Sequence, residues 1–158
     1  MKIGVTGHMD LTPTTAELVR AALRTELAAF MPGDLIGVSC LAEGADSLFA
    51  QAVLDVGGRL EAQLPAPDYR GTRVSADHLP VFDSLVAQAY KVRYIADRSS
   101  IEAYALANAA MIGNVDVMFA VWDGESVIKT GGTAHAVATA RARGVRVTVI
   151  WPEGARRC

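Results

Sequence analysis

The sequence predicts a Rossmann-like α/β domain of three layers, with a mainly parallel sheet of six or seven strands between two layers of helices. Three observations predict it. Short apolar runs alternate with helix-period segments along the whole chain, glycines punctuate the passages between them, and one run is almost continuously apolar, as in a strand covered on both faces.

Lys2 to Thr6 is a β-rich run ending at Gly7, and Thr12-Pro13-Thr14-Thr15 supplies caps for a helix reaching about Phe30. Leu35 to Leu41 reads as a buried strand, and Glu43-Gly44-Ala45-Asp46 leads into a helix, Ser47 to Val56, that stops at Gly57-Gly58. Arg59 to Leu64 is the third strand. Pro65-Ala66-Pro67 breaks it, and the polar stretch Asp68 to Asp77 reads as a flexible loop whose Tyr69, Arg70 and Arg73 close over a ligand. Leu79 to Tyr90 is helical with Pro80 in its first turn, and Val92 to Ala96 is a short strand. Ser99 and Ser100 cap a helix from Ile101 to Ile112 that closes at Gly113-Asn114. Val115 to Trp122 is the continuous apolar run, hence a central strand. Gly131-Gly132-Thr133 opens a last helix to about Arg143, Gly144 ends it, and Val145 to Trp151 is the final strand.

A chain of 158 residues fits one domain. With 51% hydrophobic and 20% charged residues it has the composition of a packed globule, not of a disordered chain. A net charge of −2 offers no global positive field, so nucleic acid is not the expected partner. Cys40 and Cys158 lack CxxC or Cys/His neighbours, so neither a disulfide nor a metal is expected, and no cofactor motif is present. The opening MKIGVTGHMD lacks the apolar stretch of a signal peptide and no run has the length of a membrane span, so the expected setting is cytoplasmic.

In open α/β sheets, ligands settle beyond the carboxyl ends of the strands, where helix amino termini point free N–H groups at anions. Four strand-end loops therefore matter. In the first, Gly7 permits close backbone approach, and Thr6 and His8 can donate to phosphate or ribose oxygens; a plain turn accounts for the segment as well. In the second, Leu41, Ala42, Gly44 and Ala45 bring backbone close to a ligand, while Asp46 serves either a ligand or the helix start, and Glu43 is either a solvated acid or a catalytic carboxylate. The third and fourth form the strongest local signal: Trp122-Asp123-Gly124, then Lys129-Thr130-Gly131-Gly132-Thr133 at a helix start, where two glycines bare consecutive amides toward an anion. This is neither GxxxxGK[ST] nor GxGxxG, because Lys129 precedes the glycines. Trp122 either stacks on a base or caps the core, Asp123 is a second candidate catalytic carboxylate, and His135 reads as a surface histidine. Asn108 and Met111 lie one turn apart on a helix; the alternative to a binding role is packing for Met111 and satisfying a carbonyl for Asn108.

In this order, Gly4-Val5-Thr6-Gly7-His8, Leu41-Ala42-Glu43-Gly44-Ala45-Asp46, Ala120-Val121-Trp122-Asp123-Gly124 and Gly131-Gly132-Thr133-Ala134 resemble the SLOG superfamily, which joins DprA/Smf with the LOG proteins. The resemblance spans nearly the whole chain and implies a Rossmann-like fold binding a nucleotide or nucleotide-derived small molecule, and a homodimer. LOG enzymes cleave the N-glycosidic bond of cytokinin nucleotides with a PGGxGTxxE motif. Here Thr130 replaces the proline, and Ala138 or Ala136, depending on register, stands where the glutamate belongs, so that activity is not carried over. The leading reading is a nucleotide-binding or sensing module. A nucleoside or nucleotide N-glycosidase or deoxyribosyltransferase-like enzyme using Asp123 or Glu43 is the alternative. The third is a DprA-like DNA-binding protein, for which Arg141, Arg143, Arg146, Arg156 and Arg157 are the clustered basic residues.

Overall fold

The computed structural model describes residues 1–126 and 132–158. Six parallel strands form one sheet: β1 (Lys2–Gly7), β2 (Ile36–Ser39), β3 (Arg59–Leu64), β4 (Lys91–Tyr94), β5 (Val117–Val121) and β6 (Arg146–Val149), in the order β4-β3-β2-β1-β5-β6. The helices are α1 (Pro13–Leu27), α2 (Ala45–Asp55), α3 (Tyr69–Arg73), α4 (Leu79–Gln88), α5 (Ile101–Ile112) and α6 (Thr133–Ala142), with a 3-10 turn at Pro32–Asp34. The α/β class and the parallel sheet are those the alternation predicts.

Local chemistry explains the helices. Thr12 caps α1 by accepting from the Thr15 N–H at 3.2 Å, Pro13 fits the first turn, and Thr15, Val19, Leu23 and Leu27, four residues apart, form its buried stripe. Ser100 caps α5 through the Ala103 N–H at 3.0 Å. Alternate residues of each strand feed opposite layers. Ile3 and Val5 of β1, with Val117, Phe119 and Val121 of β5, pack under α1 and α2, while Met118 meets Met111 of α5 and Ala140 of α6 on the other face. Every residue of β5 is buried, and β1 and β6 flank it, so the continuous apolar run is an interior strand as expected.

One stretch differs in substance from expectation. Asp68 to Asp77, expected as a flexible loop, contains α3, and that helix is docked: Tyr69 is buried against Phe82 and Tyr104, the Asp68 Oδ1 accepts from the Ser99 N–H at 2.7 Å, and Arg70 grips Asp83 through two bonds of 2.7 Å. The buried aromatic ring overrides the polar character of its neighbours. Element ends also shift by one to three residues; α2 begins at Ala45 instead of Ser47 because Gly44 takes the cap position. Among the described residues no helix is long and apolar enough to cross a membrane.

Candidate functional site

The strand order reverses between β1 and β5: from β1 the chain builds β2, β3 and β4 outward on one side, then crosses back to place β5 on the other. Such a reversal leaves a crevice at the carboxyl ends of the two strands, because the helices that follow them leave toward opposite faces. Gly7 pairs with Val121 in the sheet, so the loops at His8 and at Trp122-Asp123-Gly124 emerge side by side.

His8 is buried, donates its backbone N–H to the Val121 carbonyl at 3.1 Å, and meets Trp151 edge-on at 5.7 Å. Its Nε2 lies 3.1 Å from the Asp123 Oδ1 and 3.2 Å from the Asp123 backbone N. One nitrogen cannot serve both partners at once. With the proton on Nδ1 it accepts from the Asp123 N–H; with a proton on Nε2 it donates to the carboxylate. Asp123 Oδ1 also accepts from the Glu125 N–H at 3.0 Å, and Oδ2 lies 3.6 Å from Arg157 Nη1. Desolvation raises the Asp123 carboxyl, but the Glu125 N–H, His8 and the Arg157 charge together hold it below the usual carboxylate range. Trp122 donates Nε1–H to the Glu125 carbonyl at 3.1 Å, which ties its ring to the same loop.

Arg157 comes from the last turn of the chain. Its Nε lies 3.0 and 3.1 Å from the two Asp10 carboxylate oxygens, while the Cys158 N–H donates to the Asp10 carbonyl at 2.8 Å and the Arg156 N–H to Thr15 Oγ1 at 2.6 Å. The tail therefore flanks the crevice. Nothing in sequence spacing links Arg157 to Asp10 and Asp123; only the acid two residues after His8 hints at a charged neighbour there.

The glycines of the first two loops serve packing. A Cβ on Gly7 would stand 2.5 Å from Ala45 Cβ and 2.8 Å from the Val121 carbonyl oxygen. Gly44 has φ +85°, and a Cβ there would stand 2.7 Å from both the His8 carbonyl oxygen and Met9 Cα. These contacts weld the β1 loop onto the start of α2. The Ala45 N–H donates to the His8 carbonyl at 3.1 Å and the Ser47 N–H to the Ala42 carbonyl at 3.2 Å, so these two amides at the α2 start already have partners.

Leu41 is fully buried in the core at φ +57°, with its N–H on Ser39 Oγ at 3.1 Å and its side chain turned inward. Asp46 is half-buried and accepts from the half-buried Ala42 through its N–H at 3.4 Å. Desolvation pushes the Asp46 carboxyl up to about 7, against the lowering effect of that bond. Burial likewise pushes up the nearby Cys40 thiol and Tyr69 phenol, each further raised by the Asp46 charge.

Gly132, at φ −80° and ψ 173°, holds the cap position before α6; among the described residues no side chain caps the helix, and its first turn has no acid. Among the described residues nothing accepts from the N–H groups of Thr133, Ala134 and His135. Gly131, Thr130 and Lys129 lie outside the described residues. Thr6, half-buried, occupies the face of β1 opposite Val5, the face that α6 covers.

The remaining residues part company. Met111 packs into the core beside Gly4 and Met118, whereas Asn108 lines a small hollow of about 50 Å³ with His135 and Thr139 between α5 and α6. Glu43 is exposed and, with Gly44, lines a different cleft in which Asp123 takes no part. Among the described residues no three His, Cys, Asp or Glu side chains are grouped to hold a metal ion.

Fold and crevice define a class: a Rossmann-like domain with a crevice at the β1/β5 switch point. No protein family and no curated protein sequence matches the chain. Solved structures do. DNA processing protein A from Streptococcus pneumoniae superposes with a TM-score of 0.69 at 17% identity, over 97% of this chain and 51% of that one. The Helicobacter pylori protein of the same name, described for a single-stranded DNA binding mode, gives 0.70 at 17% identity, over 99% and 68%. The X-ray structure of TM1055 gives 0.59 at 18% identity, over 92% and 71%. The chain thus shares the Rossmann-like fold of these structures, and it spans about half the length of the Streptococcus protein.

Proposed function

We propose that the crevice between the ends of β1 and β5 binds a nucleotide or nucleotide-derived, phosphate-bearing small molecule. The observation that carries the reading is the start of α6, which opens beside the switch point with no side-chain cap among the described residues and no acid in its first turn. In this reading the phosphate meets the amides and hydroxyl at Gly131-Gly132-Thr133, and the Asp123 carboxylate, steadied by His8 and Arg157, accepts from ribose hydroxyls. Thr6, Trp122 and Gly124 complete the lining; Gly7, Gly44 and Ala45 act as scaffold beneath it.

A second reading has its own support. Single-stranded nucleic acid also presents phosphates and sugars in series, and the structurally similar Helicobacter protein is described as binding single-stranded DNA. This reading predicts that oligonucleotides bind more tightly than mononucleotides, with affinity falling steeply as salt rises.

Thermal shift against nucleosides, nucleoside mono- and triphosphates and a short oligonucleotide tests both, with base release followed in the same samples. Phosphorylated ligands should raise Tm and bare nucleosides much less. Gly132→Val and Thr133→Ala should each cost about 1–3 kcal/mol of binding, by blocking the amides or removing the hydroxyl. Parent-like affinity in both variants sinks the reading. Release of free base that depends on Asp123 would instead make the site an N-glycosidase, and the mass of the same sample reads the homodimer that the SLOG resemblance implies.

A further inference from the structure

A second cleft, of about 380 Å³, lies among α1, α2, α4 and the Met9 loop, in the helical layer across the sheet from α6. That volume suits a small organic molecule. Its lips are apolar and unusually bare: Met9 is 60% exposed and Val81 46%, with Leu11 and Leu48 between them.

The floor is polar and fixed. Ser47 and His78 are 7% and 8% exposed, and Ser47 Oγ lies 3.0 Å from His78 Nε2. The pair resembles a nucleophile and its base, but the surrounding oxygens exclude that chemistry. Ser47 Oγ is 2.7 Å from the Ala42 carbonyl, which takes its proton, and His78 Nε2 is also 3.4 Å from the Leu41 carbonyl. A nitrogen facing a carbonyl and a hydroxyl whose proton is spent elsewhere must itself carry the hydrogen. His78 therefore donates to Ser47, and the serine is not activated.

One wall supplies a cation. Arg20 on α1 lines the cleft, and its Nε is out of contact with water and has no acceptor. Its only ion pair among the described residues is Nη2 to Glu17 Oε1 at 3.6 Å, on the exposed side of the helix. Of the other carboxylates in this region, Asp55 is engaged by Arg24 and Gln51, and Glu43 stands exposed at the rim. The Arg20 side chain is 37% exposed, so its charge, beside apolar walls and a sealed polar floor, suits an anionic oxygen group carried on an apolar body.

We propose that this cleft is a second ligand site, taking a small amphipathic anion: a carboxylate or phosphate monoester held by Arg20, with its apolar body on Leu11, Leu48 and Val81. It does not depend on the nucleotide reading, since none of these residues lines the β1/β5 crevice.

Amide chemical shifts of the whole chain, titrated with phenylacetate, phenyl phosphate and benzylamine, test the proposal. Saturable shifts should centre on Ser47, Leu48, His78 and Val81 for the anions and be absent for benzylamine; the stronger of the two anions tells carboxylate from phosphate. Arg20→Gln should weaken anion binding at least tenfold, Val81→Asp should weaken it by repulsion, and Gly132→Val should leave it unchanged. Affinity within twofold of the parent in both cleft variants overturns the proposal. So does equal binding of benzylamine, or a shift pattern centred on Trp122 to Gly124.

Discussion

Two helices start with glycine at the carboxyl edge of the sheet, and they are built in opposite ways. At α2 the Gly44 cap sits at positive φ against the His8 and Met9 backbone, the Ala45 and Ser47 amides are taken by protein carbonyls, and Asp46 places an acid in the first turn. At α6 the Gly132 cap has an ordinary extended conformation, no side chain caps it, and no acid follows. One start is closed by the fold; among the described residues nothing closes the other. The difference teaches that a glycine before a helix marks a site only when the amides behind it are unspent.

The comparison breaks most sharply at the two glycines. Gly44→Ala should destabilise the fold by about 3 kcal/mol, because it combines unfavourable φ with backbone overlap. Gly132→Ala, at a φ that any residue adopts, should change stability by no more than about 0.5 kcal/mol. Urea unfolding of both decides it, and equal losses would erase the distinction.

Asp46 gives the next effect. Its folded-state pKa of about 7 lies above the ordinary value of 3.8, so the native state favours the protonated form and the carboxyl becomes a growing liability as pH rises from about 4 to about 7. Asp46→Asn should therefore match the parent near pH 4 and exceed it above pH 7, by at most about 4 kcal/mol for the full shift and by less because solvent screens the half-buried carboxyl. A constant difference across that range would place the carboxylate in water.

The smallest effect belongs to the tail. Arg157→Gln removes exposed ion pairs and should cost less than about 1 kcal/mol. The Asp123 carboxyl should nevertheless titrate at higher pH once the cation is gone, which carbon-detected NMR of that side chain would show.

Much of this architecture is legible from residue order. The five buried residues of β5 announce an interior strand, and Thr12-Pro13 and Ser100 announce their helices, because a local cap or a burial pattern suffices for each. The site is less legible. Gly7 and Gly44 read as ligand-facing, yet what they admit is Ala45, Val121 and Met9, neighbours that only the folded sheet supplies. Leu41 falls within a strand-end motif but turns into the core. Tyr69 anchors α3 through Phe82 and Tyr104, contacts invisible in a stretch that is otherwise polar. Arg157 reaches Asp10 across 147 residues, a distance over which no periodicity speaks.

The parallel sheet also fixes an order of events during synthesis. β1 lies between β2 and β5, and more than a hundred residues separate its end from the strand that covers its second edge. At ribosomal speeds of about 5–20 residues per second, that edge stays unpaired for roughly 5–20 s after β1 emerges. The crevice has only one wall during that interval. Its second wall arrives with β5, and the Arg157 contact to Asp10 later still, so a nascent chain can gather α1, α2 and the first four strands well before it has a place for any ligand at the switch point.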